Sequence, residues 1–211
     1  MIRILLTAVV GGALLAAPSP AAARASATPG PDLPRDTLEV ATFAGGCFWC
    51  MEEAFDHVRG VVSTTSGYTG GRLEDPTYAQ VSAGGSGHFE AVLVVFDPKV
   101  VSFASLLGTF WHNVDPTDDG GQFCDRGSQY RSAIFVRNAR QRELAEASKR
   151  DIESRRGFGV VTGIVDASTF WPAEDYHQDY YQKNPVRYRF YKFNCGRKAR
   201  LEEVWGEDDG G

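Results

Sequence analysis

A β-patterned stretch runs through two glycines directly into an α-patterned one at residues 37–58, and this junction constrains the fold more than any other feature of the chain. In "TLEVATFAGG" polar and apolar residues alternate among β-branched and aromatic types, which predicts a strand over Thr37–Phe43 ended by Gly45 and Gly46. "CFWCMEEAFDHV" follows with Phe48, Met51 and Phe55 at helical spacing, ending before Gly60. Cys47 is thereby placed where a strand turns into a helix.

The remaining pattern mixes both element types. "VVSTTSGYTGG" and the very apolar "HFEAVLVVFDP" read as strands, and "SFASLLGTFWHNV" as a helix capped by Ser102. "DPTDDGGQFCDRGSQY" has no periodicity and reads as a long loop of the kind that often carries function. "RSAIFV" and "GVVTGIV" read as strands on either side of a charged surface helix, "NARQRELAEASKRDIESRR". The C-terminal part is unusually aromatic and is expected to be partly irregular. Without strict βαβ alternation the pattern favours an α+β fold with a mixed sheet flanked by helices over a doubly wound one. A chain of 211 residues, 43% hydrophobic, is enough for one domain with a proper core.

Charge and the N-terminus narrow the setting. A formal net charge of -5, with the arginines near 137–156 interleaved with acids, leaves no basic stripe for phosphates, so nucleic acid is excluded as an expected partner. Arg3, the run "ILLTAVVGGALLAA" and the small residues of "PSPAAARASA" predict a signal peptide with its cleavage region over residues 1–27. The apolar run is shorter than the ~20 residues of a spanning helix, so no stable membrane association is expected after cleavage. Residues 28–36 read as a flexible leader and 37–211 as the catalytic domain. Export, to the bacterial periplasm, exposes the four cysteines Cys47, Cys50, Cys124 and Cys195 to oxidising conditions, where two structural disulfides would be the default. The C-x-x-C spacing of Cys47 and Cys50 is too close to staple distant segments and suits redox chemistry instead.

A thiol attacks only as thiolate, and a helix N-terminus favours the anion, so Cys47 is the expected nucleophile. The preceding glycines allow a tight turn and leave its sulfur approachable. Phe48 and Trp49, at successive helical positions, cannot both face one narrow core stripe, which makes one of them a wall beside the sulfur. Glu90 opens the most apolar strand, where desolvation would raise its pKa toward general-acid work at neutral pH. His88 reads as a structural histidine, and His177 and Asp179 of "YHQDY" as scaffold, with no metal site expected.

"GGCFWC", "SGYTGG", "DPTYAQV", "SGHFEAVLVVFDP", "DRGSQYRSAIF" and "EDYHQDYYQKNP", in that order across Thr42–Pro185, together resemble the A-type peptide methionine sulfoxide reductases. The resemblance implies a ferredoxin-like core, Cys47 as nucleophile, and Phe48 and Trp49 around the substrate methyl. It further implies that Glu90, Tyr78 and Tyr130 hold the sulfoxide oxygen, with Asp125 nearby. The implied reaction reduces the S epimer of methionine sulfoxide, in oxidised proteins or peptides, through a sulfenic acid and an intramolecular disulfide. An external thioredoxin-like reductant or dithiol regenerates the enzyme; no bound cofactor is implied, and a monomer suffices.

The chain departs from the commoner family pattern at Cys50, where glycine is usual, and at Cys124. Three residues therefore compete to resolve the sulfenic acid. Cys195 is placed first by analogy with the late cysteines of the family, Cys50 second by proximity in sequence, and Cys124 third from its place in the loop that carries Asp125. A general thiol–disulfide oxidoreductase of the thioredoxin type would suit the C-x-x-C, and a zinc module would use all four cysteines. The order of elements argues against the first, and the isolation of Cys124 and Cys195 against the second.

Overall fold

The computed structural model describes residues 37–206. The predicted signal peptide and the whole of the predicted leader lie outside them. The predicted first strand appears as β1 (Glu39–Gly45), and the predicted helix after it as α1 (Phe48–Asp56). β2 (Val61–Thr69) and β3 (Phe89–Phe96) flank a short α2 (Tyr78–Ser82), which Thr77 and Gln80 close with a reciprocal capping box. α3 (Phe103–Trp111) starts at Ser102, whose hydroxyl accepts from the Ser105 N–H as expected. β6 (Ser132–Val136), α4 (Ala139–Arg156) and β7 (Gly163–Asp166) follow after a small hairpin of β4 (Gly121–Gln122) and β5 (Asp125–Arg126).

Six strands form one sheet in the order β7-β6-β1-β3-β2-β8, where β8 is Trp171–Pro172. All neighbours are antiparallel except β6 and β7. Within it, β1-α1-β2-β3-α3-β6 traces the split βαβ pattern of a ferredoxin-like core, with β1 and β3 central. The main core packs Ala41 and Phe43 of β1, Val92, Val94 and Phe96 of β3, Phe55 of α1, and Leu106 and Phe110 of α3. Phe43 stacks on Phe55 at 4.8 Å and on Phe110 at 5.3 Å between ring centres, which fixes α1 and α3 over the same strand. Because side chains alternate along a strand, Ala44, Ala91, Ala133 and Phe135 build a smaller cluster on the opposite face.

Two expectations change. The long aperiodic loop contains the β4–β5 hairpin and a 3-10 turn at Ser128–Tyr130. The supposedly irregular C-terminal part contains three helices, α5 (Tyr180–Lys183), α6 (Pro185–Asn194) and α7 (Arg197–Trp205). Helical periodicity is weak there because aromatic and basic residues cover nearly every side of α6, while Pro185 at its start and Gly196 (φ +69°) after its end supply the punctuation.

Candidate active site

Gly45 and Gly46 do more than loosen the chain ahead of Cys47. A Cβ on Gly45 would lie 2.5 Å from Met51 Sδ, and one on Gly46, at φ +82°, would lie 2.6 Å from Gln122 Cβ. Gln122 cannot yield, because its side-chain amide clasps the Asp115 backbone from both ends at 2.8 Å. Only glycine fits the turn that swings Cys47 from the sheet into α1.

Cys47 is the N-cap of α1, as the pattern predicted. The first free N–H of that helix, on Phe48, donates not to the thiol but to Glu90 Oε2 at 3.1 Å. Glu90 enters from β3, opposite Tyr68 of β2. It is only 2% exposed. Burial holds its carboxyl up at about 8 against the pull of the Phe48 N–H, in the direction expected from the sequence. The Tyr130 hydroxyl favours the charged forms of both Glu90 and Tyr78 against burial, so the three act as one polar group in the pocket wall. Burial and the Glu90 charge push Tyr78 up to about 12 and Tyr130 higher still, so both hydroxyls keep their protons. Asp125, at the start of β5, accepts from the Tyr191 hydroxyl at 2.5 Å.

These side chains meet at a pocket of about 70 Å³. Its walls bring together Cys47, Phe48, Trp49, Tyr78, Glu90, Asp125 and Tyr130, all seven residues singled out for chemistry or substrate, with Tyr191 of α6 as an eighth. One side is oxygen-rich and one aromatic, the pairing that a methyl sulfinyl group needs. Trp49 is held from three directions: it stacks on Tyr180 at 3.7 Å, meets Tyr191 edge-on, and donates its indole N–H to His177 Nδ1 at 3.1 Å. His177 packs against the Phe48 and Tyr78 rings at 5.0 and 4.4 Å. Desolvation lowers it to about 4, so it is a neutral acceptor for Trp49. Glu174 binds the Tyr68 hydroxyl and the Tyr78 N–H. His88 is buried, accepting from the Gly71 N–H and donating to the Leu73 carbonyl, a structural role as expected.

Sequence reasoning missed Tyr191, Tyr180 and Glu174, and gave His177 a place only as scaffold. The one available hint was the aromatic density of "EDYHQDYYQ", which carries no periodicity to say which rings face the pocket.

The four cysteines form two couples. Cys47 and Cys50 are free, 5% and 3% exposed, and stand one helical turn apart, the Cys50 N–H donating to the Cys47 carbonyl at 3.1 Å. Cys124, in the β4–β5 turn, and Cys195, at the end of α6, form a disulfide across 71 residues. Cys195 Sγ lies 4.0 Å from both Asp125 Oδ2 and the Tyr191 hydroxyl, so the second couple is separated from the pocket by that pair of side chains. Cys124, Asp125 and Cys195 place ligand atoms within 4.8 Å of one another, but the two sulfurs are spent on their mutual bond.

One sequence-based inference is reversed. The helix N-terminus was expected to lower the Cys47 pKa; instead burial, the bond shared with Cys50, and the Glu90 and Asp125 charges push the thiol well above its ordinary value. Cys50 is held down to about 6 by the hydrogen bond from Cys47, with help from Arg197 and Lys192, against its own burial.

A buried pair of free thiols beside a carboxyl that burial holds at about 8, in a pocket half polar and half aromatic, defines a thiol-dependent oxidoreductase. Residues 39–209 match the family described as peptide methionine sulfoxide reductase. Over 170 residues, 80% of this chain, it is 51% identical to the peptide methionine sulfoxide reductase MsrA of Bacillus subtilis, covering 96% of that protein. It is also 51% identical over 177 residues to MsrA 2 of Caulobacter vibrioides, covering 83% of this chain and 90% of that one. Among solved structures, methionine sulfoxide reductase A of Corynebacterium diphtheriae matches with a TM-score of 0.65 and 33% identity over 72% of this chain and 78% of that one. Reduced Mxr1 of Saccharomyces cerevisiae matches with a TM-score of 0.68 and 29% identity, covering 72% and 88%. The chain belongs to the peptide methionine sulfoxide reductases of the A type.

Proposed function

We propose that this enzyme reduces the S epimer of methionine sulfoxide in oxidised proteins, by attack of Cys47 on the sulfoxide sulfur while Glu90 protonates the oxygen. The observation that carries the reading is the pocket itself, where a buried sulfur, a carboxyl held at about 8 and two phenol hydroxyls face one aromatic wall. Phe48 and Trp49 take the methyl. Tyr78 and Tyr130 donate to the oxygen, and Asp125 orders Tyr191 at the rim. The hydroxyl then passes from the substrate sulfur to Cys47 as the transient sulfur–sulfur bond breaks, so methionine leaves with its sulfur reduced by two electrons and Cys47 is left as a sulfenic acid. The choice of epimer rests on membership of the A type, since each epimer has its own enzyme.

A second thiol condenses with the sulfenic acid, releasing water and forming a disulfide. Placed first from the sequence, Cys195 is bonded to Cys124, whereas Cys50 is free and one helical turn from Cys47. We therefore assign the closure to Cys50. The Cys47–Cys50 bond would be too buried for a protein reductant to reach, but Cys124 is exposed. An external thioredoxin-like donor is proposed to reduce Cys124–Cys195, whose dithiol then exchanges with Cys47–Cys50, two electrons passing inward. The proposed setting is the periplasm, which rests on Arg3 and the apolar run that follows it.

The test is consumption of the S and R epimers of a methionine sulfoxide peptide with dithiothreitol, by the mature protein and by Cys47→Ser. Turnover of the S epimer alone, abolished in Cys47→Ser, is expected. Turnover that survives the substitution would refute the assignment of Cys47.

A further inference from the structure

One carboxylate outside the reacting groups reaches two parts of the pocket at once. Glu174 Oε1 accepts from the Tyr78 backbone N–H at 2.9 Å and Oε2 from the Tyr68 hydroxyl at 3.0 Å, partners 96 and 106 residues away in the chain. Tyr78 opens α2, and Tyr68 lies on β2, 0% exposed and paired across the sheet with Glu90. Both rings pack on Phe48, Tyr68 at 5.9 Å and Tyr78 at 6.5 Å between centres. A single side chain thus spans the elements that carry the oxygen side and the methyl side of the pocket.

Glu174 stands on a fixed base. The Ala173 N–H donates to the Ser66 carbonyl at 2.9 Å, laying this segment along β2. Gln178 clasps Ser66 from both sides, accepting from its N–H and donating to its carbonyl, and donates to the Ala173 carbonyl as well, each at 2.9 Å. The His177 N–H closes the turn between them on the Glu174 carbonyl at 2.8 Å.

α2 needs an anchor of this kind. It is five residues long, and its capping box ties Thr77 to Gln80 without reaching any other element. Val81 seats it in the core, and Gln129, next to Tyr130, holds its far end by donating to the Ser82 carbonyl at 3.0 Å. Its near end, where Tyr78 joins the pocket wall, is held by Glu174.

We propose that Glu174 is a positioning residue for the reaction: it fixes the start of α2 so that the Tyr78 hydroxyl stands at the sulfoxide oxygen, and it acts through the reach of its side chain, not through its charge. The proposal rests on the reading of Tyr78 as a donor to that oxygen, and it adds to that reading a residue that touches no reacting atom. Glutamine has the same reach. Its carbonyl can take the Tyr78 N–H, which only donates, and its amide can turn to the Tyr68 hydroxyl, which accepts as readily as it donates. Aspartate keeps the charge but draws both oxygens back by about 1.5 Å, one carbon–carbon bond, too far to span the same two partners.

The test is a single turnover of the fully reduced mature chain, reading the rate of first methionine release at saturating peptide and the peptide concentration that gives half that rate. The variants are Glu174→Asp, Glu174→Gln and Tyr78→Phe, with Glu174→Asp also combined with Tyr78→Phe, and the fold of each is checked by circular dichroism. Glu174→Asp is expected to slow release ~10-fold or more, as a displacement of ~1 Å does, and to change the half-saturating concentration less. Glu174→Gln is expected to release methionine at close to the unsubstituted rate. In the Tyr78→Phe background no hydroxyl remains to be placed, so Glu174→Asp is expected to cost nothing further. Full additivity of the two substitutions overturns the positioning role, because the loss then reaches the rate by another route. A ~10-fold fall in Glu174→Gln overturns it as well, and that readout does not depend on the aspartate variant folding. Tyr78→Phe is scored separately: an unsubstituted rate there refutes Tyr78 as the donor, whereas additivity with an impaired Tyr78→Phe refutes only the part given to Glu174.

Discussion

Glu90→Gln should make the protein more stable and nearly inactive at the same time. Glu90 is 2% exposed and its carboxyl sits at about 8, against 4.5 for the free side chain. At pH 7 the folded chain holds it protonated in about nine molecules of ten, while the unfolded chain ionises it, a difference that favours unfolding by about 3 kcal/mol. The sign follows from proton counts. Between 4.5 and about 8 the native state binds more protons at this carboxyl than the unfolded state, so its contribution to stability is greatest below 4.5 and declines as pH rises through 8. Glutamine keeps an oxygen for the Phe48 N–H and has no proton to lose, so the variant should gain up to about 3 kcal/mol at pH 7 and lose that part of the pH slope. Catalysis moves the other way: without an acid for the sulfoxide oxygen, kcat/KM should fall ~10²–10⁴-fold, or about 3–5 kcal/mol of barrier. The unsubstituted enzyme should also lose activity as pH rises through about 8, a limb missing from the residual rate of Glu90→Gln. Urea unfolding from pH 5 to 9 and steady-state rates on one peptide would decide it. Equal stability of the two chains at pH 7, or full activity in Glu90→Gln, would refute the reasoning.

Other substitutions separate the remaining parts of the site. Tyr130→Phe removes the hydroxyl that stands with Glu90 and Tyr78 in the pocket wall, and kcat/KM should fall at least ~10-fold with the fold intact by circular dichroism. His177→Phe leaves the buried Trp49 indole N–H without its acceptor; it should cost about 1–3 kcal/mol in urea unfolding and raise KM more than it lowers kcat. Cys124→Ser opens a cross-link spanning 71 residues and should cost about 2–4 kcal/mol, yet turnover with dithiothreitol should continue, because the inner couple closes by itself. Gly46→Ala forces a side chain into a left-handed turn against Gln122 and should destabilise by about 1–3 kcal/mol, measured as a shift in Tm.

What could be read from the sequence was local. The strand, glycines and helix around Cys47 were legible because periodicity and positive φ act over a few residues, and the N-cap position of Cys47 followed from them. The direction of its pKa did not, since the Phe48 N–H is taken by Glu90 from 42 residues away and burial outweighs the helix terminus. Seven pocket residues were recovered through ordered motifs. Tyr191 was not, because it arrives on α6 from a segment whose rings and charges repeat at no fixed period. Pairing of Cys195 with Cys124 was equally hidden, set by where the α6–α7 corner docks on the β4–β5 turn.

The placement of Cys50 three positions after Cys47 also bears on how long the catalyst lasts. A sulfenic acid that meets a second oxidant molecule is converted to a sulfinic acid that dithiols do not reverse. Two clocks compete. One is the arrival of an oxidant at Cys47, a residue 5% exposed; the other, on the proposed closure by Cys50, is attack by a thiol one helical turn away. Well-placed intramolecular partners act at effective concentrations of ~10⁵ M or more, far above any oxidant in solution. On that proposal the pair sets the number of turnovers each molecule completes before it is itself destroyed.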